Sequence, residues 1–397
     1  MKILLVSSYL PYPLTNGGNI RLYNLLKFLQ KTHEITLVCE IRQGQNKDDV
    51  HEVEKVCHKV YTVKRRKQWS VKNILKTAVS ANSFLTTGHK LEEMSLIVSM
   101  LLSKESFDAI HVETFYVLQN VPKTTLPIIL VEHNVEYLVY ERFKEKASLF
   151  LKPLLTIDIE KIKRAEKQAW SRVSIVVAVS EKEKEIIGEK CKFVVPNGVD
   201  LKTFVKKKIV NSVDVKKKKI LYIGDYTWIQ NTDAVLYIIK FIWPLIKKNL
   251  NVSLWIVGKN MPATFKKIGD NDASIIFDDD NKETAVKIFS EADVLLAPKR
   301  VGGGTSYKII EAMAVGTPVV TNSFGLEGLD FEKDKEIIVE NKPEELAEEV
   351  IRVLTQKDYY RRISDQGRKA VEKKYDWIAI ADKLDGVYQS VKNINNL

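Results

Sequence analysis

The sequence predicts an α/β protein made of two tandem, Rossmann-like, doubly wound domains. Three observations carry this. The chain has 397 residues, too many for one ordinary core and suited to two. Short β-rich runs alternate with helical stretches from end to end, the rhythm of parallel sheets wrapped by helices. Most of those runs are near-continuously apolar, as strands covered on both faces must be.

In the first half the strands are expected at 3–7, 35–40, 60–63, 109–112, 128–132, 175–179 and 193–195. In the second they are expected at 220–224, 253–257, 275–277, 294–297, 319–321 and 337–339. Amphipathic stretches such as 19–30 and 232–247 fall between them and read as helices. The polar, lysine-rich "VKKKIVNSVDVKKKK" follows the turn-forming "PNGVD" and marks the domain break. The expected domains are therefore 1–204 and 205–375, followed by a C-terminal helix at 376–397. Ligands of such sheets bind beyond the carboxyl ends of the strands, so the cleft between two facing domains is the expected site.

The start, "MKILLVSSYLPYPLT", imitates a signal peptide, but Pro11 and Pro13 break a short apolar run and no small-residue cleavage site follows. A first strand is the better reading. The apolar "AVLYIIKFIWPLI" is interrupted by Lys240 and Pro244, and no run approaches a membrane span. Cys39, Cys57 and Cys191 have no metal-ligand spacing, and their odd number argues against a disulfide framework. A reducing cytoplasm is expected.

The net charge is +11 and unevenly spread. Between Glu54 and Glu92 there is no acidic residue, while Lys55, Lys59, Lys64, Arg65, Arg66, Lys67, Lys72, Lys76 and Lys90 are interleaved with Trp69, Ile74, Leu75 and Phe84. One reading is a solvated basic face. The other is a surface that docks on anionic lipid or a polyanionic acceptor, which would place the protein on the inner face of the cell membrane. No nucleic-acid-binding motif accompanies the charge, so nucleic acid is not an expected partner.

The chemistry concentrates in "APKRVGGGTSYKIIEAMAVGTPVV", 297–320. A strand runs into glycines and then into a helix expected from about Ser306, with Thr305 as its N-cap. A helix N-terminus presents unpaired N–H groups and a partial positive charge. Gly303 and Gly304 let an anion approach that backbone without a Cβ in the way. Lys299, Arg300 and Lys308 add charge around the same point, and together these groups suit a diphosphate. Glu311 shares the helix face of Lys308 and lies where a ribose would follow, its carboxylate able to accept both ribose hydroxyls. The alternatives are tight strand–helix packing for the glycines and a Lys308–Glu311 surface pair. The spacing matches neither a Walker A loop nor G-x-G-x-x-G.

Other polar residues sit at strand ends. "VEHNVEY" places His133 just past its strand, and "AIHVETF" places His111 and Glu113 on one strand face. A metal could take this pair, but no third ligand is evident, and a polar strand end near an acceptor is favoured. "VSEKEKEII" has Ser180 and Glu183 at capping-box spacing. "FDDDN", from Asp278, imitates a metal-binding D-x-D, but its place after a second-domain strand favours acidic residues opening a helix.

The stretch "GGGTSYKIIEAMAVGTPVV" resembles the donor-binding segment of the retaining, GT-B-fold, nucleotide-sugar-dependent glycosyltransferases of family 4, or group 1. "KILLVSSYLPYPLTNGGNIRLYNLLKFL", "FVVPNGVDLKTF", "YIGDYTWIQNTDAVLYIIKFIWPLI", "ADVLLAP" and "YDWIAIADKLDGVY" extend the resemblance over nearly the whole chain. It implies transfer of a sugar from a nucleoside diphosphate sugar (UDP- or GDP-) to a hydroxyl acceptor with retention, in bacterial surface polysaccharide or lipid-linked glycan synthesis. It implies no cofactor and no strict need for a metal. The glutamate corresponds to Glu311, whose family role is the donor ribose. The first of the family's two glutamates would fall at Gly303, which lacks a carboxylate. The family's Gly-Arg and following Lys correspond to Gly224, Asp225 and Gln230, so both cations are missing and their role moves to Arg300 and Lys308. Gly17 and Gly18 belong to the loop that closes over donor phosphates in the family. Asn16 and Arg21 become acceptor or phosphate contacts, His111 and Glu113 acceptor contacts, and His133 a contact to the donor sugar. Gly224, Gly303, Gly304, Thr305, Ser306 and Glu311 form the donor set. The C-terminal helix is expected to cross back to the first domain. A nucleotide-sugar epimerase of the same fold and a non-catalytic sugar-nucleotide-binding subunit are the alternative functions.

Overall fold

The structure is a computed structural model that describes residues 1–65, 73, 77, 80–207, 218–279 and 281–394. Each run expected to be a strand overlaps one. The chain divides into two compact units, Met1–Asn197 with Trp377–Leu397, and Gly198–Asp376.

The first unit is built on seven strands: β1 (Lys2–Ser7), β2 (Glu34–Ile41), β3 (Lys59–Lys64), β4 (Ala109–Glu113), β5 (Ile128–Glu132), β6 (Ile175–Ala178) and β7 (Cys191–Val194). They form one sheet in the order β3-β2-β1-β4-β5-β6-β7, with every pair parallel. Winding reverses between β1 and β4, where Leu5 lies beside His111 and Ser7 beside Glu113. Leu4, Val6, Val38, Ile110, Val112 and Leu130 are wholly buried in this sheet, which explains why its strands read as continuous apolar runs. Helix α1 (Gly17–Leu29) packs against the C-terminal helix, α6 (Trp377–Ile394), which brings Tyr388 into the first unit's core. His33 Nε2 meets Asp385 at 2.6 Å along this contact.

The second unit holds β8 (Lys219–Asp225), β9 (Ser253–Lys259), β10 (Ile275–Asp279), β11 (Val294–Leu296), β12 (Val319–Thr321) and β13 (Ile338–Val339). The order is β10-β9-β8-β11-β12-β13, again all parallel. One cluster of buried side chains covers each face: Ile220, Val235, Ile256 and Val350 on one, Leu221, Leu295, Ile309 and Ile337 on the other.

Three local expectations are corrected. Residues 198–204, assigned to the first domain from sequence, belong with the second unit: Val199 N donates to Tyr375 O at 2.8 Å and Arg368 Nη1 to Phe204 O at 2.6 Å. The charged segment 208–217 that signalled the break lies outside the described residues. The single helix expected over 232–247 is α4 (Ile229–Tyr237), a π-turn at Ile238–Ile242 and a further helix at Trp243–Asn249. Pro244 has no N–H to continue the regular ladder, and the wide turn before it re-routes the bonds, with Trp243 N donating to Ile238 O. Asp278 opens no helix: it accepts from Trp255 Nε1 at 3.1 Å, and the next helix starts at Ala285 under a Thr284 cap. Asp280 lies outside the described residues, as do Arg66, Lys67, Trp69, Lys72, Ile74, Leu75 and Lys76 of the basic stretch.

Candidate active site

In the second sheet the winding reverses between β8 and β11, the place where doubly wound sheets leave a crevice. The glycine loop leaves β11 at this point. Asn322, after β12, holds its base: Lys299 N donates to Asn322 Oδ1 at 3.0 Å, and Asn322 Nδ2 donates to Lys299 O at 2.8 Å. Gly302 and Gly304 adopt φ of 90° and 75°, a backbone that side chains resist, and a Cβ on Gly302 would press on Gln230. Lys299 curls over the loop and donates to the carbonyls of Gly303 (3.0 Å) and Gly304 (2.9 Å). Helix α5 (Tyr307–Ala314) then begins. Its N-cap is Ser306 rather than Thr305, and the Ser306 side chain makes no capping bond.

Lys308, on the first turn of α5, points at a polar triangle. Its Nζ donates to Asn231 Oδ1 at 3.0 Å and sits 4.1 Å from the centre of the Tyr222 ring. Asn231 is fixed from two further sides: Tyr222 Oη donates to its Oδ1 at 2.9 Å, and its Nδ2 donates to Asp225 O at 2.7 Å. Gly224 makes room for it, since a Cβ there would lie 2.6 Å from Asn231 Cγ. Burial, with the charge of Lys299 behind it, draws the Lys308 ammonium down to about 7 against partial support from Glu311. Burial likewise pushes the Glu311 carboxyl up to about 7, with Lys308 opposing. Among the described residues the Glu311 carboxylate takes no hydrogen bond. A simple surface pair would leave both groups near their ordinary values; here burial shifts both.

Arg300 is placed differently from expectation. Its guanidinium is bidentate to Asp233 on α4 (3.1 and 2.7 Å) and stacks 4.4 Å over Tyr237. Asp233 and Tyr237 lie far from Arg300 in sequence, which is why the pairing was not foreseen.

In the first unit the carboxyl ends of β4 and β5 carry a linear chain of polar groups. Tyr388 Oη meets His111 Nδ1 at 2.6 Å, His111 Nε2 meets Glu113 Oε1 at 3.0 Å, and His133 Nε2 meets the other oxygen, Glu113 Oε2. A carboxylate only accepts, so both imidazoles donate from Nε2. Burial alone would raise the Glu113 carboxyl, but the charge of His133 and the bonds from both histidines hold it well below the usual carboxylate range. His111, Glu113 and Tyr388 are wholly buried, whereas His133 is partly exposed beside Tyr9. The acceptor role expected of His111 and Glu113 is therefore corrected: neither side chain reaches a surface, and they stand behind His133. Among the described residues no group of His, Cys, Asp and Glu is arranged to hold a metal ion.

Other first-unit assignments also shift. Asn16 is the N-cap of α1, accepting from Asn19 N at 3.1 Å, and Gly17 and Gly18 form the first turn of that helix. Arg21 is buried, donating from Nη1 to Pro196 O at 2.7 Å and to Asn197 Oδ1 at 3.3 Å, while its Nε and Nη2 have no partner among the described residues. Ser180 caps its helix as expected, but Ser180 Oγ donates to Glu183 Oε2 (2.9 Å) as well as accepting from Glu183 N (3.3 Å). A cavity of about 360 Å³ opens next to Asn16, lined also by Tyr9, Arg42, Gln45 and Asp49, residues the sequence did not single out.

The chain matches the model "Glycosyltransferase Family 4" over residues 15–203 and "Glycosyl transferases group 1" over residues 217–356. The chain is a family 4, group 1 glycosyltransferase. This glycosyltransferase is 23% identical over 390 residues to an uncharacterized 44.6 kDa protein in the cps region of Klebsiella pneumoniae, covering 94% of this chain and 96% of that one. It is 28% identical over 209 residues to the phosphatidyl-myo-inositol mannosyltransferase of Mycobacterium tuberculosis, covering 50% and 53%. Among solved structures it resembles sucrose-phosphate synthase from Thermosynechococcus elongatus (TM-score 0.72, 15% identity, 98% and 99% covered). It also resembles Anabaena HepE, solved with UDP-glucose (TM-score 0.63, 14% identity, 98% and 100% covered). The fold of this glycosyltransferase is GT-B.

Proposed function

We propose that the enzyme transfers a sugar from a nucleoside diphosphate sugar, UDP- or GDP-linked, to a hydroxyl acceptor with retention at the anomeric carbon. The observation that carries this reading is the cluster of Lys308, Asn231, Glu311 and the Gly302–Gly304 loop at the reversal point of the second sheet. In it a half-buried ammonium and an unbonded carboxylate stand three residues apart on one helix face. A diphosphate would give Lys308 its counter-ion, and ribose hydroxyls would give Glu311 its donors. The UDP-glucose complex of HepE supports the donor class, since that protein shares the fold. The Klebsiella cps-region relative and the mycobacterial mannosyltransferase support surface polysaccharide or lipid-linked glycan as product.

In this reading the bond between the anomeric carbon and the β-phosphate oxygen breaks through an oxocarbenium-like state. Lys308 and the amides of Gly303, Gly304 and Thr305 stabilise the departing diphosphate. Lys299 holds the loop in shape, and Arg300 reaches phosphate by exchanging Asp233 for phosphate oxygens. The acceptor oxygen attacks on the same face, and its proton passes to the leaving phosphate. In the first unit, His133, held by Glu113, is the group suited to a sugar hydroxyl, and the cavity beside Asn16 and Arg42 is suited to a polar acceptor. A thermal-shift screen of UDP-, GDP-, ADP- and TDP-sugars tests the donor: one family should raise the midpoint, and the rise should vanish in Lys308→Ala and Glu311→Ala. No rise with any of the four would refute the reading.

A further inference from the structure

Six of the sixteen large hydrophobic side chains that lie exposed among the described residues fall within one short segment: Phe143, Leu149, Phe150, Leu151, Leu154 and Ile157. Phe150 is 93% exposed and Leu149 78%. The segment is the tip of a helical hairpin, where α2 (Glu136–Lys146) turns back into α3 (Lys152–Arg172). The turn is ordered by its own backbone, with Ala147 N donating to Lys144 O (3.1 Å) and Leu151 N to Ser148 O (3.0 Å). The hairpin's inner side is anchored in the core through Ile159, Ile162 and Trp170, while Glu166 accepts from Glu136 N at 2.8 Å to close the start of α2. A rigid base thus presents an apolar tip, and concentration of this kind marks an interaction surface rather than scattered exposure.

We infer that this tip is a membrane-docking wedge whose partner is an anionic lipid bilayer. The charge argument selects that occupant. Over the whole hairpin, Glu136 to Arg172, the sequence carries nine lysines and arginines against six acidic residues, nine minus six, or net +3, with Lys144, Lys146 and Lys152 at the tip. A second copy of the same surface would set like charges against each other, whereas anionic headgroups match cations that flank buried apolar groups. The base of the hairpin also adjoins the acid-free stretch: Lys161 Nζ donates to Thr77 O at 2.7 Å, and Phe84 N to Asp158 Oδ1 at 2.8 Å. No helix among the described residues is long and apolar enough to cross a membrane, so the wedge acts by shallow insertion. The inference deepens the lipid-linked-acceptor reading, but its test needs neither donor nor acceptor.

The experiment is flotation of the full chain with vesicles of phosphatidylcholine containing phosphatidylglycerol, and with phosphatidylcholine alone. Wild type should float with the first and, roughly tenfold less, with the second. Phe150→Asp with Leu154→Asp should abolish flotation while leaving the melting temperature and the UDP-induced shift intact. In Phe150→Trp, emission should move to the blue on anionic vesicles only. Three results would overturn the inference: wild type that does not float, a double variant that floats as well as wild type, or self-association lost in the variant without any vesicle binding.

Discussion

Glu113 closes strand β4 and Glu311 sits on helix α5, and their surroundings drive the two carboxyls in opposite directions. Glu113 is wholly buried, yet two imidazole N–H groups satisfy it and keep it ionised. Glu311 lies beside an ammonium that is itself held down to about 7, and burial raises it to about 7. The first cluster is complete within the protein; the second is left short of partners. On the proposed reading, that contrast separates a group that positions a neighbour from groups that a donor would complete, since perturbed ionisable groups gather at functional sites.

The backbone beneath the second cluster gives the largest expected effect. Gly258 has φ of 150°, and a Cβ there would meet the carbonyl oxygen of Gly224 at 1.7 Å. Gly258→Ala should cost upwards of ~3 kcal/mol, read as a fall in urea midpoint or loss of soluble protein, because β8 cannot then keep Gly224 and Asn231 in place.

The paired substitutions Glu113→Gln and Glu311→Gln put the contrast itself at risk. The first should destabilise by about 3 kcal/mol, since an amide cannot accept from both imidazoles and leaves a buried donor unmatched. The second should change stability by less than about 0.5 kcal/mol while weakening nucleotide binding. Equal losses of stability would erase the distinction. Lys308→Met should keep or raise the melting temperature, because it removes a cation held below its ordinary range, but lower turnover by ~100-fold.

Acid and base titration sharpen the same comparison. The Glu113 carboxyl is depressed when folded, so its stabilisation is full above its ordinary 4.5 and drains away as pH falls below it. Lys308 is depressed from 10.5 to about 7, so folding is penalised increasingly as pH falls through that interval. Glu311 is raised from 4.5 to about 7, and its favourable protonated form is lost as pH rises through 7. Binding of UDP at about pH 8 should therefore take up to about one proton onto Lys308, and at about pH 6 should release one from Glu311. Calorimetry in buffers of different ionisation enthalpy should show the sign reverse, and the uptake should be absent in Lys308→Met. Tyr388→Phe should cost about 1 kcal/mol of stability, well short of the Glu113→Gln loss, because it strips one hydrogen bond from His111 without touching Glu113.

The strands were legible because burial on both faces writes itself into local composition, as at Ile128–Glu132 and Val319–Thr321, whose limits coincide with the runs. Lys308 and Glu311 were legible because helical periodicity puts them on one face. The rest depends on partners far apart in sequence, which no local pattern encodes. Asp233 captures Arg300, Tyr388 reaches His111 across 277 positions, and Pro196 accepts from Arg21. Asn231 was the central omission; the only local trace of it was Gly224, whose missing Cβ makes its room.

The most direct test of the donor site is a crystal structure of the enzyme with UDP bound. The diphosphate should lie within hydrogen-bonding distance of Lys308 Nζ and the amides of Gly303–Thr305, with the ribose hydroxyls on Glu311. A diphosphate bound elsewhere, with Lys308 still resting on Asn231 and Glu311 still unbonded, would contradict the account.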